Sequence, residues 1–257
     1  MKLSAYGISD IGLKRKNNED GFVIRDLTQS VTLDPPDARD RAIGAMGVLL
    51  AVCDGMGGAH AGEVASALAL ETLASEMQNL NETCPRPELF RKAVEVVNQR
   101  VWNEAKLDPK LSGMGTTLTA ALVCEGRALI AHIGDSRAYF TRGGRVEQIT
   151  KDQSIAGTLV ASGQMTEEQA KQTPFRNVLL QAVGTKEKVQ IALDGVHLEP
   201  GDTLLLCSDG LSNKVDAKDL ARLLAGDDLK VSAAGLVALA NERGGEDNIT
   251  VVIARIT

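Results

Sequence analysis

Aromatic residues are scarce in this chain: one Trp, two Tyr and four Phe, 3% of 257 residues. Stacking platforms for unpaired bases are correspondingly few. Basic charge is not in excess either. Lys and Arg number 28 against 34 Asp and Glu, a formal net charge of -6 with a pI near 5.2, whereas a duplex-DNA binder needs a basic face. Nucleic acid is therefore not an expected partner. No stretch approaches the roughly 18 uninterrupted apolar residues of a membrane span, and the opening MKLSAYGISDIGLKRK lacks the apolar core of a secretory leader. The expectation is a cytoplasmic protein without a membrane partner. Cysteine is sparse. Cys53, Cys84, Cys124 and Cys207 are far apart and form no C-x-x-C pair, and all but Cys84 sit in apolar runs. They read as reduced core thiols, not as a zinc site.

What is present is ordinary globular material, 44% hydrophobic and 24% charged, long enough to bury roughly 70 to 75% of the surface of its unfolded chain. Strand-like runs occupy Leu3 to Ser9, Gly21 to Leu27, Val48 to Cys53, Thr116 to Cys124, Ala128 to Ile133, Ala138 to Thr141, Val146 to Ile149, Val189 to Leu198, Thr203 to Cys207 and Ile249 to Ile256. Helical patterns cover Gly62 to Leu80, with Val64, Ala67, Leu68, Leu70, Leu73 and Met77 as the apolar face, and Pro87 to about Ala105. Shorter helices fit Ile155 to Ser162, Thr166 to Gln172, Asp216 to Leu224 and Lys230 to Glu242, the second and third opening on capping residues. This order is an α+β pattern, with helices outside mainly antiparallel sheets. Thr28 to Met46, with Pro35-Pro36, reads as a mobile surface excursion inside a single domain spanning 1–257.

Acidic residues fall at informative places. VLLAVC runs directly into Asp54-Gly55 and TLLLCS into Asp209-Gly210; ALIAHI ends in Gly134-Asp135, Glu246-Asp247-Asn248 immediately precede ITVVIARI, and Glu19-Asp20 precede Gly21-Phe22-Val23. Any one Asp-Gly is a common turn dipeptide, and Asp194-Gly195 reads as only a turn or bulge. Repetition at the ends of the most buried runs is different, because gathered carboxylates repel by several kcal/mol per close pair at an effective dielectric near 20. Such a knot needs cations. Oxygen ligands without nearby His select hard ones, magnesium or manganese.

Together the segments carry a resemblance. Asp10-x-Gly12-x-x-Arg15-x-x-Asn18-Glu19-Asp20, Asp54-Gly55-Met56-Gly57-Gly58 with Ala61-Gly62-Glu63, Gly115-Thr116-Thr117, Gly134-Asp135-Ser136-Arg137, Ser208-Asp209-Gly210 and Glu246-Asp247-Asn248 resemble, in order, the motifs of bacterial metal-dependent protein phosphatases of type 2C. The resemblance covers Ser9 to Ile256. It implies a four-layer α-β-β-α sandwich with metals at one end. It also implies that Asp54 bridges two metals, that the Gly55 carbonyl completes one, and that Asp209 and Asp247 complete the first. Glu19 would hold the second through water, with Asp20 orienting ligands from just outside, and Asp135 would share a weaker third ion with Asp209. Arg15 would anchor phosphate, for which a guanidinium fork is suited. A hydroxide bridging the metals would attack phosphorus directly, leaving Cys53 as packing.

The departures are as specific. Relatives commonly place a histidine directly after DGMGG, where this chain has Ala59 and then His60, so His60 is a candidate general acid or merely a loop residue. His132 and His197 read as strand residues, and Arg137 as a structural partner of its turn. A flap-like excursion is expected from about 150 to 184. At its start the usual histidine is replaced by Gln153, and at its end Leu180-Gln181-Ala182-Val183-Gly184 lacks the usual arginine. The implied function is hydrolysis of phosphoserine and phosphothreonine in proteins, opposing a Ser/Thr kinase, by a monomer. Alternatives are a catalytically silent regulatory module of the same fold, or a phosphatase acting on an anti-sigma-factor antagonist.

Overall fold

The computed structural model describes residues 1–33, 40–57, 60–80 and 82–257. Pro35-Pro36, Gly58 and Ala59 of the sequence reading lie outside them. The chain opens with β1 (Lys2–Asp10), β2 (Asp20–Asp26), β3 (Val31–Thr32), β4 (Arg41–Ala42) and β5 (Val48–Met56), followed by the helices α1 (Ala61–Asn79) and α2 (Pro87–Leu107). Next come β6 (Gly115–Thr116), β7 (Leu118–Cys124), β8 (Arg127–Ile133), β9 (Arg137–Arg142) and β10 (Arg145–Gln148), then the short helices α3 (Ile155–Ala161) and α4 (Glu167–Gln172). The remainder is β11 (Ala192–His197), β12 (Thr203–Cys207), α5 (Asp209–Ser212), α6 (Ala217–Leu224), α7 (Leu229–Glu242) and β13 (Ile249–Ile256).

Two sheets result, in the orders β10-β9-β12-β13-β1-β4 and β11-β8-β7-β5-β2-β3, with β6 paired to β5. Every pairing is antiparallel. The near-continuous apolar runs are explained by burial on both faces. Along β5, Leu49, Ala51 and Cys53 pack toward α1 and α2, while Val48, Leu50 and Val52 fill the space between the sheets. Along β13, Val252, Ala254 and Ile256 face that same inter-sheet core, and Ile249, Val251 and Ile253 face α6 and α7. Three cores between four layers follow, the sandwich the sequence led us to expect.

Several local readings change. On α1 the buried positions are Ala61, Gly62, Ala65, Ser66, Ala69, Leu70, Leu73, Ala74 and Met77, so Val64 and Ala67 are exposed. Small residues let the helix axis approach the sheet, and the face is set by that approach, not by side-chain size. Asp194 and Gly195 are regular β11 residues opposite Ile130 and Leu129, not a turn, because an edge strand tolerates a polar residue facing water. Residues 189–191 precede that strand. The strand expected over Thr116 to Cys124 breaks at Thr117, whose backbone and side chain are diverted to Asp54. The surface excursion contributes β3 to one sheet edge and β4 to the other. The four thiols are not all reduced: Cys84, in the turn after α1, is disulfide-bonded to Cys124 at the end of β7, and Cys53 and Cys207 are free and buried. Tertiary proximity across 40 residues decides that pairing. Among the described residues, no helix is long and apolar enough to cross a membrane.

Candidate active site

The site continues the inter-sheet rows past the point where the apolar core stops. Phe22 and Ile24 of β2 pack between the sheets, and strand alternation puts Asp20 on that same face. Val52 likewise places Asp54 there, and Asp20 stands opposite Asp54 in the β2–β5 register. From the facing sheet, β12 delivers Asp209 at its end and β13 is entered through Asp247; Asp135 follows β8. Five carboxylates from separate segments therefore meet at one end of the sandwich.

Backbone approach holds them. A Cβ on Gly55 would run into the carbonyl oxygens of Gly62 and Glu19, and one on Gly210 into that of Asn248. The Gly55 N–H donates to the Glu19 carbonyl at 3.1 Å, which also accepts from Ser66 Oγ at 2.6 Å. Asp54 N–H donates to Thr117 Oγ1 at 2.9 Å, Thr117 N–H returns a bond to Asp54 O at 2.9 Å, and Thr117 Oγ1 lies 2.7 Å from Ser136 Oγ, beside Asp135. Asn248, 4% exposed, accepts from Glu19 N–H at 2.9 Å and donates to Ile11 O and Asn17 O at 3.0 Å each. One amide thus fastens the β1–β2 loop, with Arg15 and Glu19, onto the segment bearing Asp247.

The electrostatics are those of a site suited to cations. Desolvation, and then Asp20, Asp209, Asp135 and Asp247, push Asp54 well above the usual carboxylate range. Desolvation, then Asp209 and Asp152, does the same to Asp135. Desolvation lifts Asp20 to about 7 against the bond from Ser208 Oγ, 2.6 Å to its Oδ2, and Asp209 to about 6, with Asp247 adding to the rise. Glu19 is also raised by desolvation, with Arg15 opposing. Asp209 Oδ2 accepts from Asn213 Nδ2 at 3.2 Å, but its buried Oδ1 has no hydrogen-bond partner. An orphaned buried carboxylate oxygen amid like charges fits a cation. Among the described residues no three His, Cys, Asp or Glu side chains already close into a cage around one point. Hard divalent ions, which keep waters in their shell, tolerate such spacing.

Arg15 lies at the rim, half exposed, with Nη2 2.7 Å from Asp247 Oδ2, a bond that raises its pKa further. His60 is set apart. It precedes α1 in a left-handed conformation, φ 74°, and its largely exposed ring has Nδ1 3.5 Å from Glu63 Oε2. Arg137 is structural, as read: its Nε and Nη2 grip Asp152 at 2.9 and 2.7 Å and its Nη1 donates to Tyr139 Oη at 3.1 Å. Sequence reasoning assigned no role to Thr117, Ser208 or Asn248. For Ser208 and Asn248 the available signal was a polar residue beside an Asp at the end of an apolar run, whereas Thr117 had no acidic neighbour to mark it. From Asp135 and Asp209 a cleft of 460 Å³ leads between α3, α4 and the turn before α6.

The sequence pattern of the family described as protein phosphatase 2C matches residues 37–234, which include Asp54, Asp135 and Asp209 but not Arg15, Glu19, Asp20 or Asp247. Serine/threonine protein phosphatase PstP of Mycobacterium tuberculosis is 39% identical over 251 residues, 96% of this chain and 44% of that protein. This chain thus spans less than half of that relative. Protein phosphatase PhpP of Streptococcus pneumoniae is 35% identical over 252 residues, 96% of this chain and 94% of its own. The solved catalytic domain of PstP in complex with two manganese ions is 36% identical, with a TM-score of 0.83 covering 100% of this chain and 99% of that one. Sequence pattern, relatives and architecture agree: the chain belongs to the protein phosphatase 2C family.

Proposed function

We propose that this chain is a metal-dependent protein-serine/threonine phosphatase, its residues 1–257 forming one phosphatase domain. The observation that carries the reading is Asp54 among four other carboxylates, with the Asp209 Oδ1 buried and unpaired. Manganese, present in the related PstP structure, or magnesium would be held by Asp54, the Gly55 carbonyl, Asp209 and Asp247, by Glu19 through water with Asp20 behind it, and at a weaker third position by Asp135 and Asp209. Bound divalent ions reverse the sign of the field, polarise phosphoryl oxygens and make a water acidic enough to attack near neutral pH. Ser208 orients Asp20 by its 2.6 Å bond. Thr117 fixes the Asp54 backbone from both sides. Arg15, anchored to Asp247 through one nitrogen, keeps its remaining donors for phosphoryl oxygens. His60, exposed at the start of α1, would supply the proton to the departing serine or threonine oxygen. The substrates are phosphorylated proteins, the counterpart is a Ser/Thr kinase, and the working unit is a monomer.

The test is hydrolysis of an aryl phosphate and of a phosphothreonine peptide with and without manganese. Turnover should require the metal and fall by about 10² to 10³-fold in Asp209→Asn, the scale of losing a group that stabilises developing charge. Metal-independent turnover, or an Asp209→Asn protein as active as its parent, refutes the reading.

A further inference from the structure

The two places where the flap departs from the family pattern come together in space. Gln153, at its entry, and Gln181, at its exit, both grip Gln190. Gln181 Oε1 accepts from Gln190 N–H at 3.1 Å, and Gln153 Nε2 donates to Gln190 O at 3.4 Å. The Gln153 carbonyl accepts from Leu180 N–H at 2.8 Å and Gln181 N–H at 3.4 Å. The other side of Gln153 reaches the site. Its N–H donates to Gly134 O at 2.7 Å and its Oε1 accepts from Gly134 N–H at 2.9 Å, so both polar groups of the residue preceding Asp135 are tied to one glutamine. Gly134 has φ 109°, and a Cβ there would press on the Thr117 side chain, so this turn has little freedom except through Gln153.

We propose that Gln153 is a positioning residue: a neutral amide staple that closes the base of the flap and, through Gly134, sets the Asp135 carboxylate. This rests on the phosphatase reading above. A residue supporting a metal-binding group from behind typically changes activity by 10 to 100-fold when lost. Gln153→Met preserves length and removes both side-chain bonds. It should lower kcat for an aryl phosphate, a substrate too small to touch the flap, about 10-fold with KM within two-fold, and raise amide hydrogen exchange at Gly134 and Asp135 at least about 10-fold in metal-free protein. Gln181→Met, which leaves the Gly134 bonds in place, should change the aryl phosphate kcat less than two-fold.

Unchanged aryl phosphate kcat in Gln153→Met, with an effect confined to phosphopeptide KM, would show that Gln153 shapes only the flap and would overturn the proposal. So would unaltered exchange at 134–135. If Gln153→Met does not fold, wild-type exchange decides: Gly134 and Leu180 amides opening together support the staple, and independent opening overturns it. Asp54→Asn separates the two levels. Full turnover in that variant sinks the phosphatase reading, while the exchange coupling still reports on Gln153.

Discussion

At the scale of single residues, the placement of His60 is the most consequential departure. A proton donor to the leaving group matters in proportion to how poor that group is. Serine and threonine alkoxides need the proton, whereas a nitrophenolate leaves without it. His60→Ala should therefore slow phosphopeptide hydrolysis by about 10² while changing nitrophenyl phosphate hydrolysis less than three-fold, a difference read from steady-state kcat on the two substrates. An equal change on both would mean that His60 is not the proton donor but a loop residue acting only through its surroundings. The carboxylates were legible in the sequence because each ends or precedes a strand-like run made mostly of apolar residues. Ser208 and Asn248 were not, because a hydroxyl or amide beside an Asp is common in turns, and only their three-dimensional partners, Asp20 and the β1–β2 loop, distinguish them.

At the scale of elements, strands were read well because burial on both faces leaves few alternatives to a short apolar run. The α1 face was read correctly at Leu70, Leu73 and Met77 but misplaced at Val64 and Ala67, because much of the remaining contact is made by Ala, Gly and Ser, which carry little hydrophobic signal. The Cys84–Cys124 bond was invisible for a related reason: nothing local in a 40-residue separation marks two cysteines as neighbours. Closing a loop of that length removes chain entropy from the unfolded state worth about 4 kcal/mol in the entropic account. Thermal melts with and without reductant should show the oxidised protein to be the more stable, and Cys84→Ser should abolish the difference.

A second element-scale device joins β8 to the root of the flap. His132 is buried in β8, with Nδ1 3.0 Å from Thr119 Oγ1 and Nε2 3.1 Å from Lys151 O. Desolvation lowers its pKa to about 4; Asp152 favours the charged ring and Arg137 opposes it. An unfolded histidine titrates near 6.5, so between those values the unfolded chain binds more protons than the folded one. Stability contributed by this group is therefore complete above about 6.5 and declines by about 3 kcal/mol as pH falls to 4. Urea midpoints at pH 7 and 4.5 should differ by less in His132→Gln than in the parent, and identical slopes would remove His132 as the cause.

At the scale of the whole molecule, two sheets, each well packed to its end, finish in a group of like charges that, among the described residues, Arg15 at the rim and Arg137, already gripping Asp152, only partly offset. That arrangement makes the metal-free protein less stable than its core would allow, and it makes metal binding a folding term. A ligand that binds only the native state stabilises it by about 2.7 kcal/mol at 100 times its dissociation constant, and in a chain of this size each kcal/mol moves the melting temperature by roughly 2 to 4 °C. Saturating manganese should raise the midpoint by about 5 to 10 °C. Asp209→Asn sharpens the test, because it removes one repelling charge and one metal-facing oxygen in a single step. Without metal the variant should melt at or above the wild-type temperature; with manganese it should melt below, the two curves crossing as metal is added. Calorimetry across a manganese titration reads both. Parallel curves would mean that Asp209 neither repels its neighbours nor holds the ion, and the carboxylate end of the sandwich would then require another explanation.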